Sequence, residues 1–199
     1  MRYERTSAGW SPVGSPINVV LGKNGIGWGR GLHGDGAPGA LVGPVKKEGD
    51  GKAPAGVFAI GRAYGNDADP PMGTQVPYTQ VTDTWRCVDD GMSSKYNQVF
   101  DSASVTSDWS SAENMLRDDH LYTRVVVVAH NPPPARPGGG SCIFLHVWHE
   151  PGSTTAGCTA MPLADLEAVM TFLTPDKTVL VQMEESTYRE LAGPWELPL

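Results

Sequence analysis

A chain of 199 residues is long enough to form one domain with a sizeable hydrophobic core. Its formal net charge of −7 leaves no basic surplus to neutralise phosphates, which argues against a nucleic-acid partner. The 24 glycines and 17 prolines favour a loop-rich, mainly β protein over a helical bundle. No apolar run approaches the roughly 20 residues that a membrane helix needs, and residues 1–10 contain no apolar secretory core.

The first half of the chain predicts short strands separated by turns. Residues 17–21 are rich in β-branched side chains and predict a strand, and glycine-rich turns follow it. The Lys-rich segment 46–52 predicts a turn with its charges on a solvated face, and residues 57–60 predict the strand after it. Residues 66–120 are polar and irregular. Because a long loop in a compact domain is usually functional or disordered, we expect this section to form a wall or lid of a groove.

The second half predicts the core. Residues 125–129 are almost all β-branched and predict a central buried strand, and the apolar, aromatic residues 143–148 predict a second one. Pro162 marks the start of a helix. The residues at helical spacing after it are Leu163, Leu166, Met170 and Leu173. Residues 179–183 predict a last strand, and Trp195 and Pro198 are expected to dock the C-terminal tail on the domain.

Cys158 is the candidate nucleophile. It follows Gly157 between a buried strand and the predicted helix, where we expect it to be semi-exposed. Helix-end amides favour negative charge, so they would lower the thiol pKa, and the amides at Gly157 and Cys158 could hold an oxyanion. His146 is the candidate base and shares its side of the strand with Phe144 and Trp148, while a backbone carbonyl would orient its second ring nitrogen.

Other interpretations of these residues stay open. Cys158 could be a structural buried cysteine. His146 and His149 suggest a metal site, but the order of residues 146–150 matches neither common zinc motif, so we expect no metal and an exposed loop position for His149. His130 ends the first buried strand. It could line a groove near His146, or hydrogen-bond its own loop, which we favour.

Two short segments carry a family resemblance. Phe144-Leu145-His146 together with Thr155-Ala156-Gly157-Cys158 resembles the catalytic signature of the L,D-transpeptidase (YkuD-type) family, which is a histidine, a spacer, then Ser/Thr-x-Gly-Cys. Residues 46–60 and 87–97 resemble two further blocks of that family. The chain differs from the commoner form by a short spacer, by Ala156 in place of His and by Ala160 in place of Arg or Asn. It therefore resembles a divergent branch.

The resemblance implies a mainly β, β-sandwich-like domain with one or two short helices and no cofactor. It implies that Cys158 attacks the L-centre carbonyl of an L,D peptide bond in a peptidoglycan stem, with His146 as base. The terminal D-residue departs, and an amine of a neighbouring stem, or water, resolves the thioester. Thr155, His130 and Lys52 are candidate substrate-binding residues.

Alternatives from two other classes remain. An L,D-carboxypeptidase or related hydrolase would use the same Cys/His pair and differ only in its acceptor. A non-catalytic cell-wall-binding module is allowed by Ala156 and Ala160, although such a module has no need for the pair. The resemblance further implies one catalytic domain over residues 1–199, and truncation at the N-terminus is compatible with it. It also implies an exported protein of the periplasm or cell envelope, whose signal segment would then be missing from this chain.

Three cysteines are an odd number, which matters in an oxidising compartment. If Cys87 and Cys142 pair, Cys158 remains as the one free thiol. Alternatively all three are reduced and Cys142 is a small buried strand residue. The Cα separation that decides between these states is a property of the folded chain.

Overall fold

A computed structural model describes all 199 residues, and the chain is mainly β with two short helices, as the sequence predicts. The strands are β1 (Arg2–Thr6), β2 (Gly9–Val13), β3 (Ile26–Trp28), β4 (Arg30–Gly31), β5 (Gly34–Asp35), β6 (Ala53–Gly65), β7 (Tyr78–Gln80), β8 (Trp85–Val88), β9 (Val99–Asp101), β10 (Ala112–Asn114), β11 (Arg124–Val128), β12 (Phe144–Val147), β13 (Thr159–Met161) and β14 (Val179–Gln182). The helices are α1 (Leu163–Phe172) and α2 (Glu185–Ala192), and a 3-10 turn spans Ser102–Ser104. Neither helix has the length and apolar character that crossing a membrane requires.

The central sheet has the order β13-β12-β11-β6-β14, and β3 and β7 also pair with β6. β11 and β12 are antiparallel, with Val125 opposite His146 and Val127 opposite Phe144. β13 runs parallel to β12 and places Ala160 beside His146. Both inner strands have neighbours on each side, which fits their nearly continuous apolar sequence. The predictions of buried strands over 125–129 and 143–148 are confirmed, each within a residue or two.

One face of the central sheet packs on α1. Leu166 and Met170 of the helix are fully buried against side chains from β11, β12 and β13, among them Val126 and Leu145. Removing each of these helix side chains from water contributes about 1.5–3 kcal/mol. The predicted helix after Pro162 is confirmed.

The other face carries a second apolar cluster that contains Val125, Phe144 and Cys158. Successive side chains of a strand alternate between faces, so Leu145 enters the α1 core while Phe144 enters this one. The two cores give the domain its layered, sandwich-like architecture. The side chains that were predicted to do chemistry belong to the face without α1.

Residues 66–120 contain more regular structure than we predicted. The strands β10, β8 and β9 form a separate three-stranded antiparallel sheet in which Glu113 lies opposite Cys87. A disulfide joins Cys87 to Cys142, with a Cα–Cα distance of 6.0 Å. This small sheet therefore covers the Cys158 face of the central sheet, in the place expected of a wall. The sequence did not predict this sheet because its strands are only three or four residues long and lie in a polar segment.

Two further expectations need correction. Residues 17–21 do not form a strand: only Val20 pairs, through hydrogen bonds of 2.8 and 2.9 Å with Ala160. β13 is three residues long, so it offers little edge for a longer partner. The C-terminal tail contains a helix that we did not predict, α2. Its buried residues, Leu191 and Ala192, are adjacent at its C-terminal end, so apolar residues do not recur at helical spacing along it. The predicted docking of the tail is confirmed, since Trp195 packs on the small core around Trp28.

We expect the disulfide to contribute strongly to stability. It closes a loop over a sequence separation of 55 residues, and the chain-entropy relation gives a stabilisation of about 4 kcal/mol for that length. Cys142→Ser should lower the free energy of unfolding in urea by an amount of that order. Thiol titration of the unfolded, unreduced protein should find one thiol per chain, that of Cys158, and a count of three would show that the disulfide does not form.

Candidate active site

Strand pairing brings Cys158 and His146 to the same face of the sheet. Cys158 precedes β13, and Ala160, two residues later, lies directly beside His146. Side chains two residues apart along an extended chain point the same way, so Cys158 shares the His146 side. The ring of Tyr122 packs edgewise on both His146, at 5.3 Å between centroids, and Phe144, at 5.7 Å. The predicted common side of His146 and Phe144 is confirmed.

The surroundings of Cys158 differ from those we expected. β13 and Pro162 separate it from α1, which begins only at Leu163, so no helix end faces the thiol. The residue is 7% exposed rather than semi-exposed. Burial raises the pKa of Cys158 to about 12, and the negative charge of Glu113 adds to the effect. The expectation of a lowered pKa is wrong because a thiolate loses its hydration when buried and gains no compensating helix dipole here.

Both hydrogen bonds of the thiol are made with backbone groups. Cys158 Sγ–H donates to the Cys142 carbonyl oxygen at 3.5 Å, and the Phe144 N–H donates to Sγ at 3.4 Å. No hydrogen bond joins Cys158 to His146. At rest Cys158 is therefore a neutral thiol.

His146 has a fixed tautomer. Its Nδ1 lies 2.7 Å from the Val147 carbonyl oxygen, and because a carbonyl can only accept, Nδ1 must carry the proton. In the neutral ring Nε2 is then the unprotonated nitrogen, and the Leu121 carbonyl oxygen also lies close to the ring, where it favours the protonated form. Burial lowers the pKa of His146, which keeps the ring neutral. A backbone carbonyl thus orients the ring, as we expected of the candidate base.

The loop before Cys158 is held by Thr155. Its Oγ1–H donates to the Cys158 carbonyl oxygen at 2.7 Å, and the same oxygen accepts the Gly157 N–H at 3.1 Å. The Gly157 amide is therefore occupied, while the Cys158 amide has no acceptor within the protein and is the free donor for an oxyanion. A Cβ at position 157 would lie 2.9 Å from the Lys52 carbonyl oxygen, so only glycine fits there without a shift.

A buried polar layer that contains Lys46 and His130 lies next to Gly157. Lys46 is 4% exposed, and its Nζ donates to Asp50 Oδ1 at 2.6 Å, which compensates the burial of the ammonium. The prediction that the charges of segment 46–52 all lie on a solvated face is wrong for Lys46. Lys52 Nζ donates to the Asn24 carbonyl oxygen at 2.7 Å, and only its backbone reaches Gly157.

His130 lies in the same layer, apart from His146. Its Nδ1 accepts the Arg30 N–H at 3.3 Å, so Nε2 carries the proton and donates to the Gly139 carbonyl oxygen at 2.9 Å. Burial lowers the pKa of His130 to about 4. Both ring nitrogens are thus engaged within the fold, which agrees with the favoured interpretation of a histidine bound to its own loop.

Two site residues were absent from the sequence analysis. Tyr122 OH donates to Glu113 Oε2 at 2.6 Å, and burial raises the pKa of Glu113. Glu113 stands 45 residues before Cys158 in a polar segment, so no motif or local spacing connects the two. Only the packing of the small sheet on the large one brings them together.

Other parts of the chain lie outside this site. His149 is exposed, as predicted, with its Nδ1 3.9 Å from Glu150 Oε1. No three His, Cys, Asp or Glu side chains are grouped so that they could hold a metal ion. A groove of about 1080 Å³ borders the opposite face of the sheet at Leu145 and Met161.

A cysteine on the same sheet face as a histidine of fixed tautomer, with a free backbone amide at the cysteine, has the parts of a cysteine acyl-transfer site. The family model of the L,D-transpeptidase catalytic domain (YkuD) matches residues 13–181. Since the match covers most of the chain, the protein belongs to this family of L,D-transpeptidase-type peptidoglycan enzymes. Comparisons with curated proteins and with solved structures give no match.

The raised pKa of Cys158 makes its alkylation rate a direct test of the site. With a pKa of about 12 in the fold and about 8.5 in an unfolded chain, iodoacetamide should react with the native thiol roughly 10³-fold more slowly at pH 7. The native rate should then rise about tenfold per pH unit up to pH 10, because only the thiolate reacts. A rate that is already constant below pH 7 would contradict the neutral thiol and reveal an ion pair with His146.

Proposed function

We propose that the protein is an L,D-transpeptidase that transfers acyl groups between peptidoglycan stem peptides through a thioester on Cys158. One observation carries the proposal: His146 donates from Nδ1 to Val147 and presents an unprotonated Nε2 on the face that holds the cysteine. A general base needs this tautomer and a low charge in its resting state. Membership of the YkuD family supplies the substrate class.

The first half of the reaction starts from a neutral pair. As Sγ attacks the L-centre carbonyl carbon, its proton passes to Nε2 of His146. The carbonyl oxygen becomes an oxyanion and accepts the free N–H of Cys158. The imidazolium then gives its proton to the nitrogen of the departing D-residue, the C–N bond breaks, and the thioester remains on Cys158.

The second half of the reaction returns the enzyme to its resting state. The amine of a neighbouring stem attacks the thioester carbonyl carbon and loses a proton to Nε2. The C–S bond breaks, and His146 returns that proton to the Cys158 sulfur. Water in place of the amine would give a hydrolase, an L,D-carboxypeptidase, with the same residues.

The alanines at 156 and 160 do not remove this machinery. Ala160 is completely buried between Val20 and His146, and its backbone continues the sheet. Its role is to place Cys158 and His146 on one face, which favours an enzyme over a wall-binding module. The three candidate substrate-binding residues have smaller roles. Thr155 shapes the loop before Cys158, and neither Lys52 nor His130 is assigned a substrate contact.

The family and the disulfide support the same location. Enzymes that act on peptidoglycan work outside the cytoplasm, and disulfides persist in oxidising compartments. The Cys87–Cys142 bond is what such a compartment would sustain. We infer an exported protein of the periplasm or cell envelope with one catalytic domain over residues 1–199.

Incubation with purified muropeptides, followed by mass spectrometry of the products, tests the reaction itself. We expect cross-linked or exchanged stems, with loss of the terminal D-residue. Cys158→Ala should abolish all of these products, because no other free thiol is present. Thermal unfolding of that variant is the control, since a one-atom truncation in the core should cost only about 1 kcal/mol. Shortened stems without cross-links would favour the hydrolase, and products from Cys158→Ala would refute the mechanism.

The role of His146 is tested by the rate at which a carbapenem acylates Cys158, followed by intact-protein mass across pH. His146→Gln should lower this rate by at least the roughly 10²-fold expected for a lost general base. His149→Gln is the matched control: its ring is exposed on the next loop, so the rate should hardly change. A larger loss in the His149 variant would show that the catalytic face has been assigned wrongly.

A further inference from the structure

A half-buried carboxylate, that of Glu113, lies within electrostatic reach of Cys158, and the mechanism above leaves it without a role. Its Oε2 accepts the Tyr122 hydroxyl at 2.6 Å. Its Oε1 makes no hydrogen bond with the protein, and the carboxylate forms no salt bridge. The nearby Arg117 stacks over the Tyr122 ring at 5.0 Å and pairs with Asp119 instead. One carboxylate oxygen is therefore free to meet a ligand.

The fold fixes the direction of this side chain. Glu113 lies opposite Cys87 in the antiparallel pair of β10 and β8, and directly opposed residues project from the same face of a sheet. Cys87 is bonded to Cys142, whose carbonyl oxygen accepts the Cys158 thiol. A covalent connection thus holds the Glu113 face of the small sheet against the nucleophile.

Tyr122 joins Glu113 to the base as well. Its hydroxyl binds the carboxylate, while its ring packs on His146 at 5.3 Å between centroids. Burial is the main cause of the raised pKa of Cys158 and the negative charge of Glu113 adds to it, so the carboxylate lies within electrostatic reach of the sulfur. A carboxylate in this position opposes formation of the thiolate, so it gives no help to the first half of the reaction. It suits a step in which a cation approaches the thioester.

The acyl acceptor of a transpeptidase is such a cation. An aliphatic amine has a pKa of about 10 and arrives as an ammonium ion, which must lose a proton before its nitrogen can attack. Water needs no such step. A carboxylate beside the thioester would therefore distinguish an amine acceptor from water.

We propose that Glu113 binds the ammonium group of the acyl acceptor and takes its first proton, so that the site transfers the acyl group to a cationic amine in preference to water. This inference rests on the proposed function. The ammonium docks on Oε1 and passes one proton to the carboxylate, which leaves a neutral amine. The amine attacks the thioester carbonyl carbon, its second proton goes to His146 Nε2 and then to the Cys158 sulfur, and Glu113 later releases its proton to solvent.

A competition between two acceptors tests this role. The enzyme is given muropeptide donor together with Nα-acetyl-lysinamide, whose side chain is an ammonium, and hydroxylamine, which is uncharged at neutral pH. Both products form from the same thioester, so the ratio of amide to hydroxamate does not depend on how fast Cys158 is acylated. In Glu113→Gln this ratio should fall by about 10²-fold, the lower end of the range for loss of a proton-transfer group.

Two further variants accompany it. Tyr122→Phe keeps the ring on His146 but removes the hydroxyl that holds Glu113, so the ratio should fall in the same direction by a smaller factor. It carries the test if Glu113→Gln does not fold. Glu150→Gln removes an exposed carboxylate from the next loop and should leave the ratio unchanged.

The outcomes separate the two proposals. If the wild-type protein forms no thioester on Cys158, as judged by intact-protein mass, the proposed function itself fails. If the thioester forms and the ratio stays within about twofold of wild type in both Glu113→Gln and Tyr122→Phe, the role of Glu113 is refuted and the proposed function stands. An equal drop in Glu150→Gln would also refute it, because overall charge would then explain the effect.

Discussion

The position of β12 between β11 and β13 is the constraint on which the candidate site depends. Pairing with β11 decides the face from which His146 projects, and pairing with β13 sets Ala160 beside it and Cys158 two residues earlier. A slip of one residue in either pairing would turn one partner toward the α1 face. Such a slip would also expose the apolar side chains that pack on α1, such as Leu145. Core packing and catalytic geometry are thus one and the same requirement.

Burial determines the chemistry within that geometry. It raises the pKa of Cys158 and lowers that of His146, so both groups are neutral at rest. In the proposed mechanism, charge then develops only as the substrate carbonyl is attacked, and the Cys158 amide donates to the new oxyanion. A neutral thiol also resists oxidation, because the thiolate is the form that oxidants attack. That property suits a free cysteine in the kind of compartment where the Cys87–Cys142 disulfide persists.

The disulfide links the two sheets at the point where the site needs them joined. Cys142 contributes its sulfur to the bond with Cys87 and its carbonyl oxygen to the Cys158 thiol. The small sheet brings Glu113, and through it Tyr122, to the face of His146. A three-stranded sheet of such short strands buries too little surface to stand alone. The small sheet can therefore form the wall of the site only because it is attached to the central sheet.

Local features of this protein could be predicted from the linear sequence. Continuous apolar runs identified β11 and β12, helical spacing after Pro162 identified α1, and the segments around His146 and Cys158 identified the family. These features depend on neighbouring residues, which a linear pattern records. The alternation of side chains along β12 likewise predicted that His146 and Phe144 share a face.

Three features emerge only in the folded chain: the burial of the thiol, the pairing of the cysteines, and the position of Glu113 and Tyr122 at the candidate site. Desolvation depends on everything packed around a group, so the pKa of Cys158 could not follow from Gly157 before it or from the helix after it. Glu113 and Cys87 reach the nucleophile through pairings between distant segments. The physical reason is that strand pairing and sheet packing join residues far apart in sequence, where no periodicity connects them.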